Sequence, residues 1–172
     1  MPLIGVIAKE NDSNFIKNEL NRNACYSNFE VININKKSIE NVKNIKFDII
    51  LIKENVKEFF ESSNYLKSII DKANFLIINS DIEDNKNIPK CENKNIIKFG
   101  FSSNASITIS SIRDENIMIC IQNKFENINN QVIEEQENII KIEKNNMNKL
   151  YNVLAIFTIF LIYGEKLVTI YT

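Results

Sequence analysis

The sequence predicts an α/β fold: a doubly wound, mainly parallel sheet, an antiparallel β extension and a C-terminal helix. Three observations predict it. Apolar runs of strand length alternate with helical periodicity up to residue 81. Consecutive β segments joined by turns, with no helical signal between them, fill 96–142. One long apolar stretch of helical length closes the chain at 148–164. At 172 residues the whole suits a single domain, 1–172, with those three parts.

Leu3-Ile4-Gly5-Val6-Ile7 is a short buried-strand pattern, followed at once by a helix with Phe15, Ile16 and Leu20 on its apolar face. Asp12 is placed to be the N-cap of that helix, accepting its orphan N–H groups. Residues 29–34 alternate as a strand, and Ser38 opens a short polar helix or loop. Residues 47–52 and 75–78 are continuous apolar runs, separated by a helix face of Tyr65, Leu66, Ile69, Ile70 and Ala73. Runs of that kind belong to strands covered on both sides, as in parallel sheets. Residues 81–95 are polar, contain Pro89 and read as a loop.

Residues 96–101 form the next strand, and 105–112, 116–125 and 131–142 follow as an antiparallel set with a turn at Asn129-Asn130. The final helix has Gly164 as its C-cap. Its apolar core, 153–162, falls short of the roughly 20 residues a membrane span needs, so it reads as a buried helix. A last strand is expected within 167–171.

Composition narrows the function. Hydrophobic residues at 44% and charged residues at 25% are ordinary for a folded domain. A net charge of -1 without a basic stripe argues against nucleic acid. The chain has no histidine, which removes the commonest general base and most catalytic zinc sites. Cys25, Cys91 and Cys120 are scattered and odd in number, which suits reduced cytoplasmic thiols, with Cys25 and Cys120 as small core residues. No secretion signal is apparent. The abundance of Asn, Ile and Lys points to an AT-rich genome.

A strand, a turn and a helix form the setting of a phosphate-binding P-loop, which needs glycines, a lysine and a hydroxyl residue. The turn here is Ala8-Lys9-Glu10-Asn11-Asp12-Ser13, with no glycine and two carboxylates. Asp12 and Glu10 would put their own negative charge where a phosphate once sat. Asn79 and Asp81 lie at the end of an expected central strand, where open α/β sheets place their binding crevice. The acidic run Glu134-Glu135-Gln136-Glu137 reads as a solvated face.

Two segments carry a resemblance. Asn148-Lys149-Leu150-Tyr151-Asn152-Val153-Leu154-Ala155, running to Gly164, resembles the G-x-H-N-x-x-N-x-L-A-A…G segment of the Mur ligase central (ATPase) domain. Upstream, Phe75-Leu76-Ile77-Ile78-Asn79-Ser80-Asp81 resembles that domain's apolar strand ending in N-x-D-D, and Ile97-Lys98-Phe99-Gly100-Phe101 its next strand. On this register Ile4-Gly5-Val6 matches the strand before the family's G-T-N-G-K-T loop. The family joins an amino acid to a carboxylate through an acyl-phosphate made from ATP. Its central domain sits between a UDP-sugar-binding domain and an amino-acid-binding domain, and this sequence has room for neither.

The resemblance places the family's P-loop lysine on Asp12 and its glycines on Ala8 and Asn11, with Ser13 keeping the hydroxyl. Its motif histidine falls on Asn148, and its N-x-x-x-D-H-x-D segment has no counterpart, although Glu54 and Glu58 lie in that region. The nucleotide-binding positions it leaves as vestiges are Gly5, Ser13, Asn79, Asp81 and Asn152. A resemblance with these departures implies a non-catalytic, cytoplasmic binding or scaffold protein linked to cell-wall precursor metabolism. Such a protein would need no cofactor or metal and would act through self-association or another protein chain. Two alternatives remain: a partner-dependent or weakly nucleotide-binding enzyme using ATP and magnesium, and a membrane-associated protein anchored by helix 150–163.

Overall fold

The computed structural model describes residues 1–25, 27–57, 59, 63–82, 95–143 and 149–171. The elements run β1 (Leu3–Ile7), α1 (Glu10–Asn23), β2 (Glu30–Asn33), α2 (Ile39–Val42), β3 (Ile49–Ile52), α3 (Ser63–Lys72) and β4 (Phe75–Asn79). They continue with β5 (Asn95–Phe99), β6 (Ile107–Arg113), β7 (Asn116–Ile121), β8 (Phe125–Glu126), β9 (Val132–Ile133), β10 (Gln136–Glu143), α4 (Leu150–Tyr163) and β11 (Thr169–Tyr171).

One nine-stranded sheet, ordered β11-β10-β7-β6-β5-β4-β3-β1-β2, carries the fold. Strands β2, β1, β3, β4 and β5 are parallel. Strands β6, β7 and β10 are antiparallel neighbours, which is the expected extension. Two features depart from a purely antiparallel extension: β6 joins β5 in parallel, and β11 joins β10 in parallel. The Asn129-Asn130 turn does connect a hairpin, β8–β9, with Asn130 at φ 57. Two-sided cover explains the continuous apolar runs. Helices α1 and α4 pack on one face of the sheet with Val6, Leu51 and Ile77. Helices α2 and α3 pack on the other with Ile7, Ile50 and Leu76.

Helix α4 is apolar on every side because it is enclosed on every side; Val153 to Phe160 are all buried. It is rich in β-branched residues, so tertiary packing rather than intrinsic propensity makes it a helix. Gly164, at φ 67, ends it: its N–H reaches the Leu161 carbonyl and the Glu165 N–H the Phe160 carbonyl. Among the described residues, no helix is long and apolar enough to cross a membrane.

Two expectations are corrected. Asp12 is not the cap of α1; the helix starts at Glu10 after Lys9, and Asp12 stands within its first turn, bonded to Lys53 and Asn152. Cys25 is exposed and Cys120 half-buried, so neither is a core residue; Cys120 lies on the face of β7 opposite buried Ile119 and Ile121. Cys91, Pro89, Glu58 and Asn148 lie outside the described residues.

Candidate functional site

The C-terminal ends of β1, β3, β4 and β5 come together beneath the first turns of α1 and α4. Polar residues at or just past these strand ends, Lys53 after β3 and Asn79 and Asp81 at the end of β4, build the site. The Lys53 side chain is only 9% exposed. A buried ammonium needs a counter-ion, and Asp12 supplies it: Lys53 Nζ donates to Asp12 Oδ2 at 2.6 Å. The other carboxylate oxygen, Oδ1, accepts from Asn152 Nδ2 at 2.8 Å. Asp12 thereby ties the first turn of α1 to β3 and to α4. Burial pushes its carboxyl pKa up, but the hydrogen bonds from Lys53 and Asn152 and the charges of Lys53 and Lys9 outweigh that and hold it below the usual value.

A second cluster adjoins the first. Asn79 Nδ2 donates to the Lys53 carbonyl at 3.2 Å, and Asn79 Oδ1 accepts from the Asp81 N–H at 3.0 Å. The Asp81 carboxylate accepts from Phe101 N–H at 2.6 Å, Ser102 N–H at 2.8 Å and Tyr151 O–H at 3.0 Å. Burial raises the Asp81 pKa, and these bonds more than reverse it. Burial and the Asp81 carboxylate together raise that of Tyr151. The approach is so close that Gly100, at φ +150, has no room for a side chain; a Cβ there would lie 2.4 Å from Ser80 Oγ and 2.8 Å from both Asp81 carboxylate oxygens.

Of the five positions marked in the sequence, Asn79, Asp81 and Asn152 are joined through Lys53, Asp12 and Tyr151. Ser13 is buried in the first turn of α1, its N–H bonded to the Lys9 carbonyl. Gly5 is not brought to the site. It sits in the middle of β1, where a Cβ would collide with Ile34 and Ile50 at 2.6 and 2.7 Å, so close packing accounts for it. Sequence reasoning missed Lys53. The available signal was a lysine directly after four apolar strand residues, a place where a long side chain begins inside the core.

Two hollows flank the clamp. One, ≈ 360 Å³, is lined by Ile7, Ala8, Lys9, Glu54 and Asn55, with Lys9 Nζ 3.9 Å from Glu54. The other, ≈ 390 Å³, lies between α1 and α4 and includes Asn11, Asp12, Asn14, Phe15 and Asn152, with Lys149 Nζ 4.6 Å from the centre of the Phe15 ring. Asn152 Oδ1 is buried there with no hydrogen-bond partner. Among the described residues, no group of three potential ligands is set to hold a metal ion.

By sequence, no family model and no curated protein matches the chain. By structure it is similar to UDP-N-acetylmuramate–alanine ligase (MurC) from Thermotoga maritima, with a TM-score of 0.62 at 10% identity. The similarity covers 95% of this chain and 41% of that one, so this chain spans well under half the length of its structural neighbour. The fold is therefore Mur-ligase-like: a mostly parallel sheet with antiparallel elements and a C-terminal helix.

Proposed function

We propose that this chain is a non-catalytic protein of the Mur-ligase central type, a binding or scaffold module linked to cell-wall precursor metabolism. The observation that carries the reading is the Lys53–Asp12–Asn152 clamp. Its central residue, Asp12, lies in the turn that the sequence resemblance aligns with the family's phosphate loop. A phosphate loop offers backbone N–H groups and a cation to phosphate oxygens. Here a carboxylate stands at the lysine position, and the nearest buried lysine is already neutralised by it. Glu54 adds further negative charge beside Lys9. A nucleotide triphosphate entering this turn meets repulsion and finds its cation occupied.

Calorimetry with ATP and magnesium tests this. No heat of binding at micromolar nucleotide is expected, and micromolar affinity overturns the proposal. The alternative, a partner-dependent or weakly nucleotide-binding enzyme, is favoured by one observation: a polar hollow stays open beside the clamp, with Asn152 Oδ1 unpartnered. Saturable millimolar binding, lost in Asn152→Leu, would select it. In either reading the chain is proposed to work by association, with itself or with another protein chain. Light scattering at high concentration and copurification from native extracts test that part; a strict monomer with no companion counts against it.

A further inference from the structure

A lysine placed directly after the four apolar residues of β3 starts its side chain inside the core, and Lys53 stays there, 9% exposed. A buried ammonium is costly until an anion meets it. Lys53 Nζ donates to Asp12 Oδ2 at 2.6 Å, and Asn152 Nδ2 donates to Asp12 Oδ1 at 2.8 Å. Two donors, one past the end of β3 and one on α4, thus converge on the two oxygens of a single carboxylate. That carboxylate is carried by α1, yet the helix draws no capping bond from it.

An ammonium and an amide N–H₂ aimed at neighbouring oxygens are donors that suit a small oxyanion. The surrounding charge agrees. Besides Lys53, the charge that acts on the Asp12 carboxyl is that of Lys9, and both favour its ionised form. Of the carboxylates close in sequence to these residues, Glu54 stands 3.9 Å from Lys9 Nζ, and Glu10 is exposed at the start of α1. There is also room. Asp12 and Asn152 both line the ≈ 390 Å³ hollow between α1 and α4, and Lys149 adds a cation to its lining. Removing the Asp12 carboxylate joins the space it fills to that hollow and uncovers the Lys53 ammonium.

We propose that Asp12 is an internal anion that fills and closes a site for a small oxyanion of the phosphate class, formed by Lys53 and Asn152. Taking the carboxylate away opens the site to a free anion. This deepens the reading of the clamp given above and rests on it. In the native chain a free anion gains nothing by entering, because both donors are engaged and the incoming charge meets a like charge.

The test compares the unsubstituted chain, Asp12→Ala and the double variant Asp12→Ala/Lys53→Met, by calorimetry and thermal unfolding. Inorganic phosphate is the probe, against sodium chloride at equal ionic strength. Asp12→Ala binds phosphate saturably with a dissociation constant of about 1–10 mM. At about 100 mM phosphate its melting temperature rises by about 3 °C or more beyond the rise of the unsubstituted chain. Phosphate stabilises folded chains generally by its exclusion from their surface, so that excess is the quantity read. Removing Lys53 as well abolishes both the excess and the saturable binding. Asp12→Ser, which keeps a polar side chain in the first turn, shows the same excess and serves where Asp12→Ala folds poorly. Equal stabilisation of all the proteins, saturable binding that survives the loss of Lys53, or no saturable binding by Asp12→Ala and Asp12→Ser overturns the proposal. Micromolar ATP binding by the unsubstituted chain is the separate failure of the functional reading, so the two failures are told apart.

Discussion

Replacing Asp12 by alanine removes the counter-ion of a lysine whose side chain is nine-tenths buried, and at the same stroke the acceptor of Asn152 Nδ2. Breaking a buried ion pair from one side costs about 3–5 kcal/mol. Asp12 itself is 23% exposed, which places this case near the lower end. Adding the lost Asn152 bond, Asp12→Ala should destabilise by about 3–4 kcal/mol. For a chain of this length that is a fall in melting temperature of roughly 7–14 °C. Lys53→Met keeps the buried stem and leaves Asp12 with Asn152 and some solvent, so its cost is smaller, about 1–2 kcal/mol. The double variant buries neither charge and should be no worse than about 1–2 kcal/mol. Urea unfolding of all four proteins at pH 7 gives the coupling directly, and a value of about 3–4 kcal/mol, little changed by salt, is expected. A coupling below about 0.5 kcal/mol would refute the reasoning, because the two side chains would then contribute independently.

The acid limb of stability follows from Asp81. Its folded pKa lies below the ordinary 3.8, so its contribution is complete above that pH and is lost as pH falls through the folded value. Asp81→Asn should lower stability at pH 7 and flatten the dependence below about pH 4, as followed by circular dichroism during acid titration. Tyr163 behaves in the opposite sense. Burial and then the Asp48 charge raise its pKa above 10.0, so stability is full below about pH 10 and falls as the phenol ionises in the unfolded chain. Its hydroxyl is buried without a partner, so Tyr163→Phe should cost nothing at pH 7, or stabilise slightly, and should flatten the alkaline limb; a loss of more than about 1 kcal/mol at pH 7 would show a missed hydrogen bond.

The framework was legible because burial writes itself into strands and helices locally. Ile49 to Ile52 and Phe75 to Ile78 are apolar without interruption because α1 and α4 cover one face and α2 and α3 the other. Gly164 marked the end of α4 because only a residue tolerant of positive φ ends a helix that way. The candidate site was less legible, since its bonds span 41 and 140 residues and no local pattern encodes them. Asp12 carried a strong local signal as a helix cap, and the distant Lys53 and Asn152 outcompeted it. Asn152 was reached only through the order of motifs along the chain and Asp81 also through its place at a strand end, while Gly5 shared a motif position and proved to be governed by packing against Ile34 and Ile50.

The two ends of α4 differ in a way that bears on where this protein meets other molecules. At the start of the helix, Tyr151 and Asn152 bond to Asp81 and Asp12, and those carboxylates are in turn held by Lys53 and by the backbone after β5. That is the end of the sheet where an open α/β fold ordinarily takes its ligand, and its charged groups are spent on one another. At the far end, Tyr163 and Glu165 flank Gly164 with buried polar atoms unpaired, and Asn138 adds a third from the adjoining strand wall. Internal bonds of the first kind make a rigid floor, since displacing any member strands a buried partner. Unpaired groups have no such claim on them, and the start of the helix has one as well, Asn152 Oδ1, so each end of α4 keeps buried polar atoms whose desolvation the folded chain does not recover.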